Sequence, residues 1–153
     1  MAHMHYKGTG KIHSFRGLLT DGEQRKIRIQ GSVGANAWRI TKFQLMQTTF
    51  ANTEVIIRIW REPPSDAEAS ANITFDNNLV LAAGMISGYA ASEGYPEDIT
   101  IIFDNDLFSR DIYITNLAVD NAQPINYYIE LEEVKVSAAG MAQLAVVAAR
   151  RTL

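Results

Sequence analysis

Short runs of β-branched and aromatic residues recur along the chain, separated by Gly, Pro, Asn and Asp, the pattern of strands joined by turns. Arg25 to Gln30 alternates cleanly, with Ile27 and Ile29 on one face and Lys26, Arg28 and Gln30 on the other, which predicts a strand with one wet side. Ala37 to Met46 changes phase midway. Trp38 and Ile40 share one parity and Phe43 and Leu45 the other, and a bulge near Thr41 or Lys42 would explain the slip. Glu54 to Arg61 is apolar on both parities in its middle, as expected of a central strand covered on two faces. Lys11 to Phe15, Ile73 to Phe75, Leu79 to Ile86, Ile99 to Phe103, Asp111 to Leu117 and Tyr127 to Val136 complete the predicted set.

The turn signals set the spacing. Asp21-Gly22 predicts a tight reversal, and Pro63-Pro64 ends the central strand. Ser65 to Asn72 reads as an exposed loop or one helical turn, and residues 84 to 97 read as a long loop. No helical period alternates with these strands, so the fold class predicted is all-β, a jelly-roll-like sandwich of about eight antiparallel strands. After Ser137 the chain turns Ala-rich and ends near Arg150-Arg151, and this tail reads equally as a helix or an extended arm. The organisation expected is an N-terminal arm over 1–10, a sandwich over 11–137 and a tail over 138–153.

Composition narrows the chemistry. With 153 residues, 47% of them apolar and 20% charged, the chain suits one globular domain with a real core. The absence of Cys removes disulfides, thiolate nucleophiles and cysteine metal sites. No stretch approaches the roughly 18 consecutive apolar residues of a membrane helix, and no membrane partner is expected. The formal charge of −3 hides an asymmetry: eight cations face only Asp21 and Glu23 before residue 43, whereas from 43 to 149 four cations face fifteen acids. Such a division favours internal pairing or head-to-tail contact between copies, and internal pairing is the simpler expectation.

Candidate catalytic groups do not assemble. His3, His5 and His13 sit near the N-terminus without Cys or clustered carboxylates, short of the four ligands a closed metal site needs. No Ser lies in a nucleophile elbow or Ser-x-x-Lys pattern. Glu130 and Glu132 lie side by side on one strand face, whereas paired glycosidase acids come from separate elements, so they read as a solvated face. Gly8-Thr9-Gly10-Lys11 lacks phosphate-loop spacing, and basic residues on Arg25 to Gln30 stand beside an otherwise acidic chain, so no nucleic acid is expected. Tyr89 and Tyr95, in the Gly-rich loop, are the candidate glycan-stacking platform. The reading is therefore not an enzyme, without cofactor or metal.

The run Asn126-Tyr127-Tyr128-Ile129-Glu130-Leu131-Glu132-Glu133-Val134 resembles the closing strand of small virion-associated proteins of tailed phages, and Asp111-Ile112-Tyr113-Ile114-Thr115 resembles their preceding strand. The resemblance implies a capsid decoration or cement protein, a homo-oligomer and most often a trimer, made in the host cytoplasm and bound to the major capsid protein lattice at the virion surface. The residues expected to meet partners are Lys7, Lys11, Arg16, Arg25, Arg150 and Arg151. The alternative is a carbohydrate-binding or receptor-recognition sandwich using Tyr89 and Tyr95.

Phe75-Asp76-Asn77-Asn78-Leu79 is echoed by Phe103-Asp104-Asn105-Asp106-Leu107. Both could offer oxygen ligands to calcium, but neither has a twelve-residue calcium loop, and Asx turns ending a strand account for the same residues. This reading predicts one melting temperature in calcium and in chelator, measured by thermal unfolding under both conditions.

Overall fold

The computed structural model describes residues 8–29, 36–49, 51–87, 97–137, 139–140 and 142. Its eight strands are β1 (Gly8–Leu19), β2 (Gln24–Ile27), β3 (Asn36–Gln47), β4 (Glu54–Trp60), β5 (Val80–Ser87), β6 (Glu97–Ile102), β7 (Ile112–Asp120) and β8 (Ile125–Lys135). They form a three-stranded sheet in the order β1-β8-β3 and a five-stranded sheet in the order β2-β7-β4-β5-β6, every pair antiparallel.

The pairing is nested. The first strand bonds to the eighth, the second to the seventh and the fourth to the fifth. The third meets the continuation of the sixth: past β6, the Phe103 N–H donates to the Leu81 carbonyl at 3.0 Å, and five residues on Phe108 and Trp38 exchange backbone hydrogen bonds of 2.7 and 2.9 Å. The segment from Phe103 to Phe108 thus passes from one sheet to the other. A long hairpin rolled upon itself produces this order, which is the jelly-roll arrangement expected from the strand pattern.

Alternation sorts the side chains. In β8, Ile125, Tyr127, Ile129 and Leu131 point into the sandwich and are buried, against Ile57, Ile59, Ile112 and Ile114 from the other sheet. The phase change in β3 is a bulge: its register on β8 shifts between Ile40 and Lys42, leaving Thr41 as the extra residue, so that Trp38, Ile40, Phe43 and Leu45 are all buried. Gly84, expected to open a loop, lies instead within β5. A Cβ there would stand 2.7 Å from Leu45 Cδ1, so the missing side chain lets the two sheets close. β1 is also longer than the predicted Lys11 to Phe15 and begins at Gly8, within the stretch read as an arm.

β4 is covered on both faces, as its sequence suggested, but the second cover is not a layer of secondary structure. It is the connection from β4 to β5. Trp60, Leu79, Val80 and Ala83 form a small second core with Ile73, Phe103 and Tyr113. Ile73 to Phe75, predicted as a strand, pairs with nothing; these residues serve as a lid, with Phe75 edge-on to Phe103 at 5.0 Å. The two echoed segments therefore meet in space. Ser65 opens one helical turn through a reciprocal cap: Ser65 N–H donates to Glu68 Oε1 at 3.0 Å, Glu68 N–H to Ser65 Oγ at 3.2 Å, and Ala69 N–H to the Ser65 carbonyl at 2.9 Å.

Arg58, on the outer face of β4, fastens this cover. It is 2% exposed, and its guanidinium donates to the carbonyls of Glu68, Ser70 and Asn72 while lying 5.1 Å from the Trp60 ring. Burial pulls its pKa below the ordinary arginine value. Replacing Arg58 by Ala releases three carbonyls from a charged donor, and each orphaned buried acceptor costs about 1–3 kcal/mol, less whatever water recovers. We expect Arg58→Ala to lose about 2–4 kcal/mol in urea unfolding and to expose residues 65–72 to limited proteolysis.

Candidate functional site

The outer face of the three-stranded sheet follows from register. Across β1, β8 and β3 the outward side chains form four rows: Ile12–Glu132–Arg39, Ser14–Glu130–Lys42, Arg16–Tyr128–Gln44 and Leu18–Asn126–Met46. The first two rows are charged and internally matched. Arg39 Nε donates to Glu132 Oε1 at 2.9 Å, and Lys42 Nζ stands 3.9 Å from Glu130 Oε2. Tyr128 donates its hydroxyl to Glu130 Oε1 at 2.8 Å, and this hydrogen bond holds the phenol above its ordinary pKa.

The other two rows are open. Met46 is 71% exposed, Leu18 43% and, at the far corner, Ile12 51%. Leu18 and Met46, with Arg16, Gln44, Asn126 and Tyr128, border a concave pocket of about 660 Å³ that Gly17, Leu45 and Tyr127 also line. Arg16 is exposed at its rim and has no ion pair among the described residues. Apolar side chains grouped on an open strand surface beside a cation are suited to bury area against another macromolecule.

The basic N-terminal stretch pairs largely within the fold. Lys11 reaches Glu133 at 3.9 Å, Lys26 reaches Asp111 at 3.4 Å, and Arg39 and Lys42 pair with Glu132 and Glu130, all across strands that the topology makes neighbours. Of the residues expected to meet a partner, Lys11 and Arg16 lie on β1. Arg25 is turned inward: it donates to the Leu18 carbonyl at 2.8 Å, pairs with Glu23 at 2.5 Å and lies 6.0 Å from the Tyr127 ring. Gly17 makes room for this clamp, since a Cβ there would stand 2.7 Å from Arg25 Nη1. Lys7, Arg150, Arg151, Tyr89 and Tyr95 lie outside the described residues.

Leu18, Gln44, Met46 and Asn126 were absent from the sequence-based candidates. The signal for Met46 was present: once the bulge at Thr41 is accepted, burial of Phe43 and Leu45 turns Gln44 and Met46 to solvent. Asn77 behaves as an Asx-turn residue, its Oδ1 accepting the Leu79 N–H at 3.0 Å and its Nδ2 donating to Glu68 at 2.8 Å. Among the described residues no group of three or more His, Cys, Asp or Glu could hold a metal ion.

Compared with known proteins, the chain matches no family model and has no match among curated proteins.

The Glu23 cluster makes the β1–β2 turn sensitive to acid. Burial pushes the Glu23 carboxyl up, but the Thr20 N–H and the Arg25 guanidinium outweigh it and hold the group below its ordinary value. A lowered carboxylate pKa gives stability that is full above the unfolded value and is lost as pH falls through the folded one. Both side chains are partly exposed, at 27% and 37%, so the effect is screened. Glu23→Gln should cost about 0.5–1 kcal/mol at pH 7 and nothing near pH 2, as read from urea unfolding at both pH values.

Proposed function

We propose that this chain is a structural protein of a virus particle, a homo-oligomeric β-sandwich that decorates or cements a capsid by burying surface rather than by chemistry. The observation that carries the reading is the open outer face of the three-stranded sheet, where Leu18 and Met46 stand exposed beside Arg16. The outer face of the other sheet gains a lid from its own chain over Trp60 and Ala83 and exposes Met85, Ile99 and Ile101 only toward its β5–β6 edge, without a cation among them. The resemblance of β7 and β8 to strands of phage decoration proteins supports the same reading and brings with it the trimer, the capsid lattice as partner and the virion surface as location. Arg16 would add charge selectivity at the pocket rim, and Lys11 a second cation near the exposed Ile12.

A second reading has its own observation. The pocket combines Tyr128 with Arg16, Gln44 and Asn126, an aromatic ring among amide and guanidinium donors, which suits a glycan as well as a protein surface.

Light scattering of the purified chain should give a mass near three times 17.0 kDa. The double variant Leu18→Ser, Met46→Ser should melt within about 0.5 kcal/mol of the parent, because both side chains are exposed, yet lose oligomerisation or particle binding at least tenfold. Undiminished assembly by this variant would reject the face as the contact. Saturable binding on a glycan array, lost in the same variant, would favour the second reading.

A further inference from the structure

The second sheet buries two arginines, and the fold meets their charges differently. Arg58 sits in a cage of carbonyls. Arg61, just past β4, is 7% exposed; the Nε of each is sealed without a partner, but the guanidinium of Arg61 has a single acceptor, the Leu107 carbonyl, and no carboxylate among the described residues comes within ion-pairing distance. Burial lowers its pKa, opposed by the more distant charges of Asp106 and Glu62. A buried guanidinium in this state is stabilised by an anion that can approach it.

Arg61 borders a pocket of about 410 Å³ that also brings together Lys26, Glu62, Arg110, Asp111 and Tyr113. Asp111 is already engaged, accepting the Ile29 N–H at 2.9 Å on Oδ1 and facing Lys26 Nζ at 3.4 Å from Oδ2. Arg110 is exposed and has no ion pair among the described residues. The groups of this pocket without an ion pair among the described residues are therefore Arg61, Arg110 and one carboxylate, Glu62, beside the half-buried ring of Tyr113.

We infer that this pocket binds a small acidic sugar, its carboxylate held between Arg61 and Arg110, its ring against Tyr113 and a hydroxyl donating to Glu62. The mixture of groups selects for this class. Two guanidiniums demand a negative charge, Glu62 disfavours a bare dianion such as phosphate, and the same carboxylate rewards a ligand that carries hydroxyl donors. The pocket lies on the five-stranded sheet, away from the face assigned above to a partner, so the inference stands or falls independently of that reading.

Amide chemical shifts of the full chain test it, with glucuronate, glucose and inorganic phosphate as three separate titrants. Glucuronate should shift residues 26, 61, 110 and 113 saturably in the millimolar range, glucose should shift none of them, and phosphate should bind at least fivefold more weakly. Arg110→Ala, at an exposed position, should retain the parent's melting temperature and weaken glucuronate at least tenfold, with Arg110→Lys recovering part of the loss. No saturable shift with glucuronate would overturn the inference. So would phosphate binding as tightly as the sugar, which would mark a site for any oxyanion, or an Arg110→Ala variant that binds glucuronate like the parent.

Discussion

The arrangement depends on one strand being read identically from both sides. β8 lies between β1 and β3, and its eleven residues alternate almost without fault between core and surface. Its inner set is buried against the five-stranded sheet, and its outer set supplies Glu130 and Glu132 to cations on β3. A slip of one residue would put those acids into the core and Ile129 and Leu131 into water, so the register is held by hydrophobic burial and by charge together. The four outward rows, and with them the open apolar half of the face, are geometric consequences of this alignment.

The five-stranded sheet solves a different problem. Its central strand is too apolar to have a wet side, yet Arg58 stands in the middle of it. Instead of a third layer, the chain uses the β4–β5 connection as a cover and ties it down through carbonyl acceptors. Carbonyls carry no formal charge, so the guanidinium keeps its own charge without a buried carboxylate. Arg61, a few residues on and at the edge of the cover, receives only one such acceptor, and there the surface opens into a cationic pocket.

The charge asymmetry along the chain is resolved mainly by topology. Basic residues of the first three strands and acidic residues of β8 and the β7 approach are distant in sequence but adjacent in the rolled hairpin, so four of the cross-strand ion pairs join the two groups. Among the described residues Arg16, Arg28, Arg110 and Lys135 are exposed cations without an ion pair, and Arg16 and Arg110 stand at the two pockets.

The strand pattern, the all-β class, the bulge at Thr41 and the double burial of β4 were legible from the order of residues, because alternation and its interruptions are local properties. The single helical turn at Ser65 and the Asx turn at Asn77 were legible for the same reason: their hydrogen bonds close within a few residues. The role of Ile73 to Phe75 was not, since a β-branched run looks like a strand whether it finds a partner strand or a surface to cover. Nor was the commitment of Arg25 to Leu18, Glu23 and Tyr127, or the grouping of Leu18 with Met46, because these join β1, β2, β3 and β8 across the sheet. Sequence by itself determined which residues prefer strand and which parity seeks the core; only the tertiary structure decided which edges meet, which charges find each other and which apolar side chains are left in water, since those outcomes rest on contacts between residues far apart in the chain.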